Sequence, residues 1–200
     1  KHSVLYCNRL KHRLALDVIG NNQNFNWKEL GLILYSQMSI KLRKIKKSDL
    51  GYFLKWWKDN DLIKLTSGVY EKSDEVLINY FLDILKNTKD HHYMILLDAK
   101  VIGHIALTHR SKYAFEIQIV IGEKKYWGKG LGSEAIKKTV KIAFEKLRYT
   151  KAYLEVRPQN IRAIKAYEAC GFVKKGLKKY PKNKYQPVTL KMVLNKISPK

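Results

Sequence analysis

From Ser39 onward, apolar and polar positions fall into clear periods. Ser39-Ile40-Lys41-Leu42-Arg43-Lys44-Ile45 alternates apolar with polar residues, the pattern of a half-buried strand. Ser48-Asp49 can cap a helix running to about Asp59, and Asp61–Leu65 reads as a further short turn of helix. Ser73-Asp74-Glu75 is a second helix start, with acids in the first turn. Behind it Val76, Leu77, Tyr80, Phe81, Ile84 and Leu85 form a helical stripe. His92–Asp98 and Val101–Thr108 read as strands of a hairpin turning through Asp98-Ala99-Lys100, and Ala114–Ile121 is a third strand. A glycine-rich turn follows, then a helix with Ile136, Val140, Ala143, Phe144 and Leu147 on one face. Lys151–Val156 is a strand, Asn160–Cys170 a helix closed by Gly171 at the left-handed cap position, and Tyr185–Leu194 a last strand. The order β-αα-β-β-β-α-β-α-β predicts one mixed α/β sheet with helices packed on it.

Residues 1–37 lack any sustained period and mix Asn21-Asn22-Gln23-Asn24 with short apolar pieces. They are expected to be an N-terminal extension to a domain spanning 38–200. Met38 stands just before the first strand, so the extension reads either as an appendage or as sequence upstream of the true start.

Charge alters this picture. Among 200 residues, 40 Lys+Arg face 17 Asp+Glu, a net +23. Such a field attracts anions, including nucleic acid and phosphorylated cofactors, although a solvated lysine-rich surface gives the same total. Cys7 and Cys170 make neither a metal-ligand spacing nor a disulfide framework, which suits a reducing, cytoplasmic setting. His91 and His92 point to opposite faces of a strand, so no metal is expected. No apolar run approaches the roughly 18 residues of a membrane span, and no membrane partner is expected.

The glycine turn is Trp127-Gly128-Lys129-Gly130-Leu131-Gly132-Ser133, between a strand and a helix. Glycines at alternate positions let backbone N–H groups converge without a side chain in the way, and the following helix adds its free amides and positive dipole end. The product is a pyrophosphate cradle, with Lys124, Lys125 and Lys129 adding charge nearby. The dinucleotide fingerprint needs G-x-G-x-x-G, and the spacing here is one residue short; the phosphate loop of nucleotide hydrolases fails on spacing too. A plain strand–helix connection would leave the same trace. One strand later, Asn160, Ala163 and Tyr167 share a helix face that offers an amide, a gap and a phenol. A helix cap and a core aromatic would account for the same residues.

Together the two segments resemble the GNAT superfamily of acyl-CoA N-acyltransferases. Trp127–Gly132 matches the family's Gln/Arg-x-x-Gly-x-Gly/Ala motif except at its first position, where Trp127 stands. Asn160, Ala163, Tyr167, Gly171 and Phe172 meet every named position of Asn-x-x-Ala-x-x-x-Tyr-x-x-x-Gly-Phe. The resemblance runs from about Ser39 to Asn195 and is nearest to the ribosomal-protein alanine and spermidine acetyltransferase branches. It implies an α/β (α+β) fold with a mixed, mostly antiparallel central sheet of about six to seven strands and helices on both faces. It also implies acetyl-CoA as cosubstrate, no metal, and direct transfer to an amine. The cofactor's arm would pair with Ile119-Val120-Ile121 like an added strand. Its phosphates would lie on Trp127, Gly128, Lys129, Gly130, Leu131, Gly132 and Ser133, with Asn160, Ala163 and Tyr167 opposite.

The chemistry is attack of an amine on a thioester. At pH 7 an alkyl amine of pKa about 10.4 costs roughly 4.6 kcal/mol to present neutral, and an α-amine near 8 only about 1–1.4 kcal/mol. Glu155 and Glu116 are candidate bases, alone or through water. Tyr167 is the candidate acid for the leaving thiolate, as its place in the motif implies; Cys170 reads as packing. The acceptor is expected to be a polyamine or other small amine, or a protein N-terminus, and the protein a monomer or homodimer. Asp59, Asp61, Glu71, Asp74 and Glu75, with Glu116, could make the acidic pocket a polycation needs. The competing reading is a basic nucleic-acid-binding protein on the same fold without catalysis, supported by the lysines and tyrosines of Val173–Tyr185; that segment could equally be a loop over the site.

Overall fold

The alternation read in the sequence becomes a sheet in which each strand is fixed by its neighbour. The computed structural model describes residues 39–66, 72–183 and 185–197, and the statements below concern these. Residues 1–37, Met38 and Glu71 lie outside them. Strand β1 (Ile40–Lys44) runs antiparallel to β2 (His91–Leu97), with Ile40 opposite Leu97. β2 turns into β3 (Lys100–His109) through Asp98 and Ala99, whose φ values are 46° and 67°. The turn has two residues rather than the three expected, because two successive left-handed residues match the right-handed twist of the strands. β4 (Ala114–Ile121) lies antiparallel to β3, and β5 (Lys151–Val156) lies parallel to β4. β7 (Val188–Asn195) is antiparallel to β5, and β6 (Val173–Lys179) forms the far edge against β7. The order β1-β2-β3-β4-β5-β7-β6 makes a seven-stranded, mostly antiparallel sheet, as expected.

Two expectations need correction. Val173–Lys179, the first part of the segment read as a basic patch or a loop over the site, is an exposed edge strand, and the last strand begins at Val188 rather than Tyr185. Asp49 does not cap the first helix with its side chain. Its buried carboxylate accepts from Arg43 at 2.8 and 3.0 Å and from the Lys46 amide at 2.8 Å. A 3-10 turn at Lys47–Asp49 therefore leads into α1 (Leu50–Trp57). Asp59 caps α2 (Asn60–Leu65), and Ser73 caps α3 (Asp74–Lys86).

The sheet is covered on both faces. Phe53 and Trp56 of α1, Leu62 of α2 and Phe81 of α3 pack with Met94 of β2, Val120 and Trp127. On the other face, α4 (Leu131–Glu145) sets Phe144 edge-on to Phe115 at 6.1 Å. It also reaches β1, where Glu134 Oε1 accepts from the Ile40 amide at 3.1 Å. Phe81 and Phe115 are 0% exposed, and each such burial is worth about 1.5–3 kcal/mol. α5 (Ile161–Glu168) lies beside α4 and is closed by Gly171 at φ 88°, the left-handed cap the sequence predicts.

Strand alternation then sorts the chemistry. Phe115 and Ile117 face α4, so Glu116, Gln118 and Val120 face the α1–α3 side. The register pairs Glu116 with Tyr153, which puts Tyr153 and Glu155 on that same side.

On the α1–α3 side, the partly buried His104 has its Nε2 3.1 Å from His92 Nδ1 and stands against Phe53. Burial, with His92 adding to it, pushes the His104 imidazole down to about 3. The folded value lies below the unfolded one of about 6.5, so this stability is full above pH 6.5 and is lost as pH falls. Urea denaturation should show the protein about 1–2 kcal/mol less stable at pH 5 than at pH 7.5 from this group alone. His104→Gln should remove that share of the pH dependence.

Candidate functional site

β4 and β5 pair at only three positions, Ala114 with Lys151, Phe115 with Ala152 and Glu116 with Tyr153. Beyond them β4 stays with β3 as far as Ile121, and β5 stays with β7 as far as Val156. The two strands therefore separate, and the edge of β4 from Ile117 to Ile121 is bare on its inner side. A cavity of about 700 Å³ fills the V. Ile119, Val120 and Ile121 line it from β4, Glu116 at its closed end, Glu155 from β5, Trp127–Ser133 from the glycine turn, and Asn160, Ala163 and Tyr167 from α5. The candidate catalytic and cofactor-binding residues of the sequence thus meet in one cavity.

Gly128 and Gly130 both have φ 73°, and a Cβ built on either meets no atom within 4 Å. The turn is open space bounded by backbone, and the left-handed φ is what requires glycine. Gly130 precedes α4 without a side-chain cap, leaving the first-turn amides for a ligand. The expected lysine cluster is thinner than the sequence suggests. Lys124 is bound to Asp59 at 2.9 Å and Asp61 at 2.5 Å, and Lys125 lies over the Tyr126 ring; of the three, only Lys129 lines the cavity.

Trp127, the departure from the family motif, is an anchor. Its Nε1 donates to the Ile121 carbonyl at 2.6 Å, and its ring packs against the Phe53 cluster. The Arg162 guanidinium lies over that ring, 4.0 Å from its centroid, and lines the cavity. A cation therefore reaches the Trp127 side of the cavity from the start of α5. Sequence reasoning missed Arg162; its only signal was a basic residue two places after Asn160.

Tyr167 is buried, edge-on to Phe172, and burial pushes its phenol up to about 12. Asn160 is committed on both side-chain atoms: its Oδ1 caps α5 through the Ala163 amide at 3.2 Å, and its Nδ2 donates to the Leu65 carbonyl at 3.2 Å. It clamps the end of α2 to α5, and Arg157 Nε reinforces the clamp by donating to the Thr66 carbonyl at 2.6 Å. Cys170 donates to the Ser133 carbonyl at 3.5 Å, and burial pushes its thiol up, consistent with packing rather than nucleophilic chemistry.

Both carboxylates of the cavity are paired. Arg110 forks onto Glu116 Oε2 at 2.9 and 2.6 Å. Glu155 Oε2 accepts from Tyr180 at 2.5 Å and Thr189 at 2.8 Å, and its Oε1 from Lys178 at 3.0 Å. Burial alone would raise the Glu155 carboxyl; the three donors outweigh it and hold it below the usual range. Tyr180 and Thr189, both lining the cavity, were not expected to hold it. Lys178 is spent on Glu155 and Lys174 on Glu168, so the proposed nucleic-acid patch is partly internal pairing. Among the described residues the expected acidic pocket is not formed: Asp59 and Asp61 hold Lys124, Asp74 holds Lys58, and none of these, nor Glu75, lines the cavity. Among the described residues, no group of three or more His, Cys, Asp or Glu is arranged to hold a metal ion, and no helix is long and apolar enough to cross a membrane.

Comparison with known proteins bears on this cavity. Residues 39–173 match the model of the acetyltransferase (GNAT) domain. An aminoglycoside N(6')-acetyltransferase type 1 of Klebsiella pneumoniae is 25% identical, the match covering 77% of this chain and 86% of that protein. A spermidine N(1)-acetyltransferase of Vibrio cholerae is 28% identical over 68% of this chain and 80% of its own. Among solved structures, AAC(6')-Ib in complex with ribostamycin and coenzyme A superposes with a TM-score of 0.69 at 21% identity, covering 78% of this chain and 93% of the other. The spermidine N-acetyltransferase of Vibrio cholerae in complex with CoA and spermine superposes with a TM-score of 0.67 at 22% identity, covering 78% and 95%. At that identity the superpositions establish the fold.

Gly130→Glu tests the cradle. It forces a left-handed glutamate, costing about 1–2 kcal/mol, and fills the open turn with a like charge for any phosphate. The variant should remain folded by circular dichroism and lose coenzyme A binding in calorimetry. Affinity kept within a factor of two would rule the cradle out.

Proposed function

The chain belongs to the GNAT acetyltransferase domain family, which its residues 39–173 match, and from that premise we propose that it moves an acetyl group from acetyl-CoA directly to a primary amine. The observation that carries this reading is the meeting of the open glycine turn, the bare β4 edge and the Tyr167 phenol in one cavity. The pyrophosphate lies on the Gly128–Ser133 amides with Lys129 and Arg162 beside it. The amide-bearing arm of the cofactor runs along Ile119–Ile121 and satisfies backbone groups that β5 leaves unpaired. The thioester then sits toward the closed end of the V, between Tyr167 and the carboxylate side.

The amine nitrogen attacks the thioester carbon, a C–N bond forms, and the C–S bond breaks. The proton shed by nitrogen ends on the leaving sulfur. Glu155 is held ionised, with one lone-pair site of Oε1 beyond the Lys178 contact open to a water or to the incoming ammonium. With its carboxyl below the usual range it is a weak base, so it orients the amine and relays through water. Glu116 is tied to Arg110 and takes the supporting part. Tyr167 donates a hydrogen bond to the developing thiolate. Its raised pKa, about 12, keeps it a donor throughout the neutral range.

Thiol release from acetyl-CoA in the presence of a primary amine tests the reading. Tyr167→Phe should lower kcat roughly 10²-fold while coenzyme A affinity stays within a few-fold. For the parent protein the rate should rise with pH as the amine loses its proton, with no fall attributable to Tyr167 below about pH 11. An unchanged kcat, with chemistry shown to limit turnover, would remove Tyr167 from the reaction.

A further inference from the structure

We infer that the acceptor is a weakly basic amine bearing a single positive charge, and not a polycation; this rests on the acetyl-transfer reading above. Binding a polyamine needs several carboxylates free to meet its several ammonium groups, since an unpaired charge in a partly dry site is costly. The described walls of the cavity carry two carboxylates, Glu116 and Glu155, against three cations, Lys129, Arg157 and Arg162. Each carboxylate is already neutralised from behind, Glu116 by Arg110 at 2.6 Å and Glu155 by Lys178 at 3.0 Å. Asp59, Asp61 and Asp74 are held by lysines, and neither they nor Glu75 line the cavity. Glu71, outside the described residues, adds a single carboxylate to the sequence there, with Lys72 next to it.

Among the described residues, the remaining wall on that side is neutral. Leu62, Leu65, Tyr80, Gln118, Asn183 and Gln186 offer apolar area and amides. Such a wall suits an acceptor whose charge is confined to the reacting nitrogen. A net charge of +23 also repels polycations on approach.

Proton chemistry points the same way. Among the described residues no histidine lines the cavity, and Glu155 is too weak a base to strip an alkyl ammonium. The acceptor must therefore supply its own neutral fraction. At neutral pH an amine of pKa about 7.7–8 is neutral roughly 200–500 times more often than one of pKa about 10.4. The α-amine of a peptide and a small amine such as glycinamide share this chemistry.

The full-length protein, assayed by thiol release at pH 7.5 and low salt, separates the alternatives. The acceptors are a lysine-free peptide with a free α-amine, its N-blocked counterpart, glycinamide, spermidine and kanamycin. The expected result is kcat/KM at least tenfold higher for the peptide or glycinamide than for spermidine or kanamycin. The ratio of peptide to glycinamide then tells a chain terminus from a free small molecule. Spermidine or kanamycin used better than both α-amines overturns the inference. The double variant Arg110→Gln/Lys178→Gln, which frees both carboxylates, should shift the preference toward spermidine at least fivefold; a folded variant with no shift overturns the charge argument. Acetyl-CoA that fails to bind in calorimetry, or binds and yields thiol with no acceptor, overturns acetyl transfer itself, an outcome distinct from a reversed preference.

Discussion

The structure depends on one interruption, the loss of pairing between β4 and β5 after Glu116 and Tyr153. Each strand is held along its length by an outer neighbour, β3 on one side and β7 on the other, so neither can bend back to close the gap. The inner edge of β4 consequently carries backbone donors and acceptors with no strand to receive them. Such groups, away from water, demand partners. In the proposed reading an extended, amide-bearing ligand supplies them, and the glycine turn at the end of the same strand receives its charged end. Close packing keeps the strand end in place. Gly122 admits no side chain because a Cβ there would stand 2.1 Å from the Trp56 ring, and Trp56 in turn donates to Glu123 at 3.2 Å. Trp127 completes the support by bonding to the last carbonyl of β4.

Charge follows a different logic from the one the composition suggests. The excess of lysine is large, yet the groups that reach the cavity are few and mostly paired. Lys124 and Lys178, two lysines expected to act on ligands, are bound to this protein's own carboxylates. Pairs of this kind near the surface add little stability. Their consequence here is functional: they set the charge that a ligand meets.

How much of this was legible in the sequence follows from the range of the interactions. The glycine turn, the Asn160 cap, Tyr167 and Gly171 were legible because each is a local conformational requirement written in adjacent residues. Strands with one buried face were legible through alternation. β6 was not: Val-Lys-Lys-Gly-Leu-Lys-Lys is exposed at every position, so no buried period marks it, and only its pairing to β7 makes it a strand. The acids of the segment from Asp59 to Glu75 looked like one pocket because they are close in sequence. Their partners Lys58 and Lys124 decide otherwise, and Lys124 is more than sixty positions away from Asp59 and Asp61. The same holds for Glu155, whose three donors come from β6, the following turn and β7.

In the proposed reaction the two halves of the proton transfer lie on opposite sides of the sheet. The amine sheds its proton on the side of Glu116 and Glu155, and the thiolate forms on the side of α5. Tyr167 cannot settle the account alone. With its pKa near 12 against about 8.5 for a free thiol, the proton favours the phenol by three to four powers of ten. In the proposed reaction the phenol is therefore a hydrogen-bond donor that lowers the cost of the thiolate, and the proton that finally rests on sulfur is balanced by the one the amine sheds. That transfer needs a passage between the two faces of an otherwise continuous sheet. The separation of β4 from β5 after Glu116 and Tyr153 is where the two faces meet, and in the proposed reaction that one break in pairing serves both cofactor binding and proton movement.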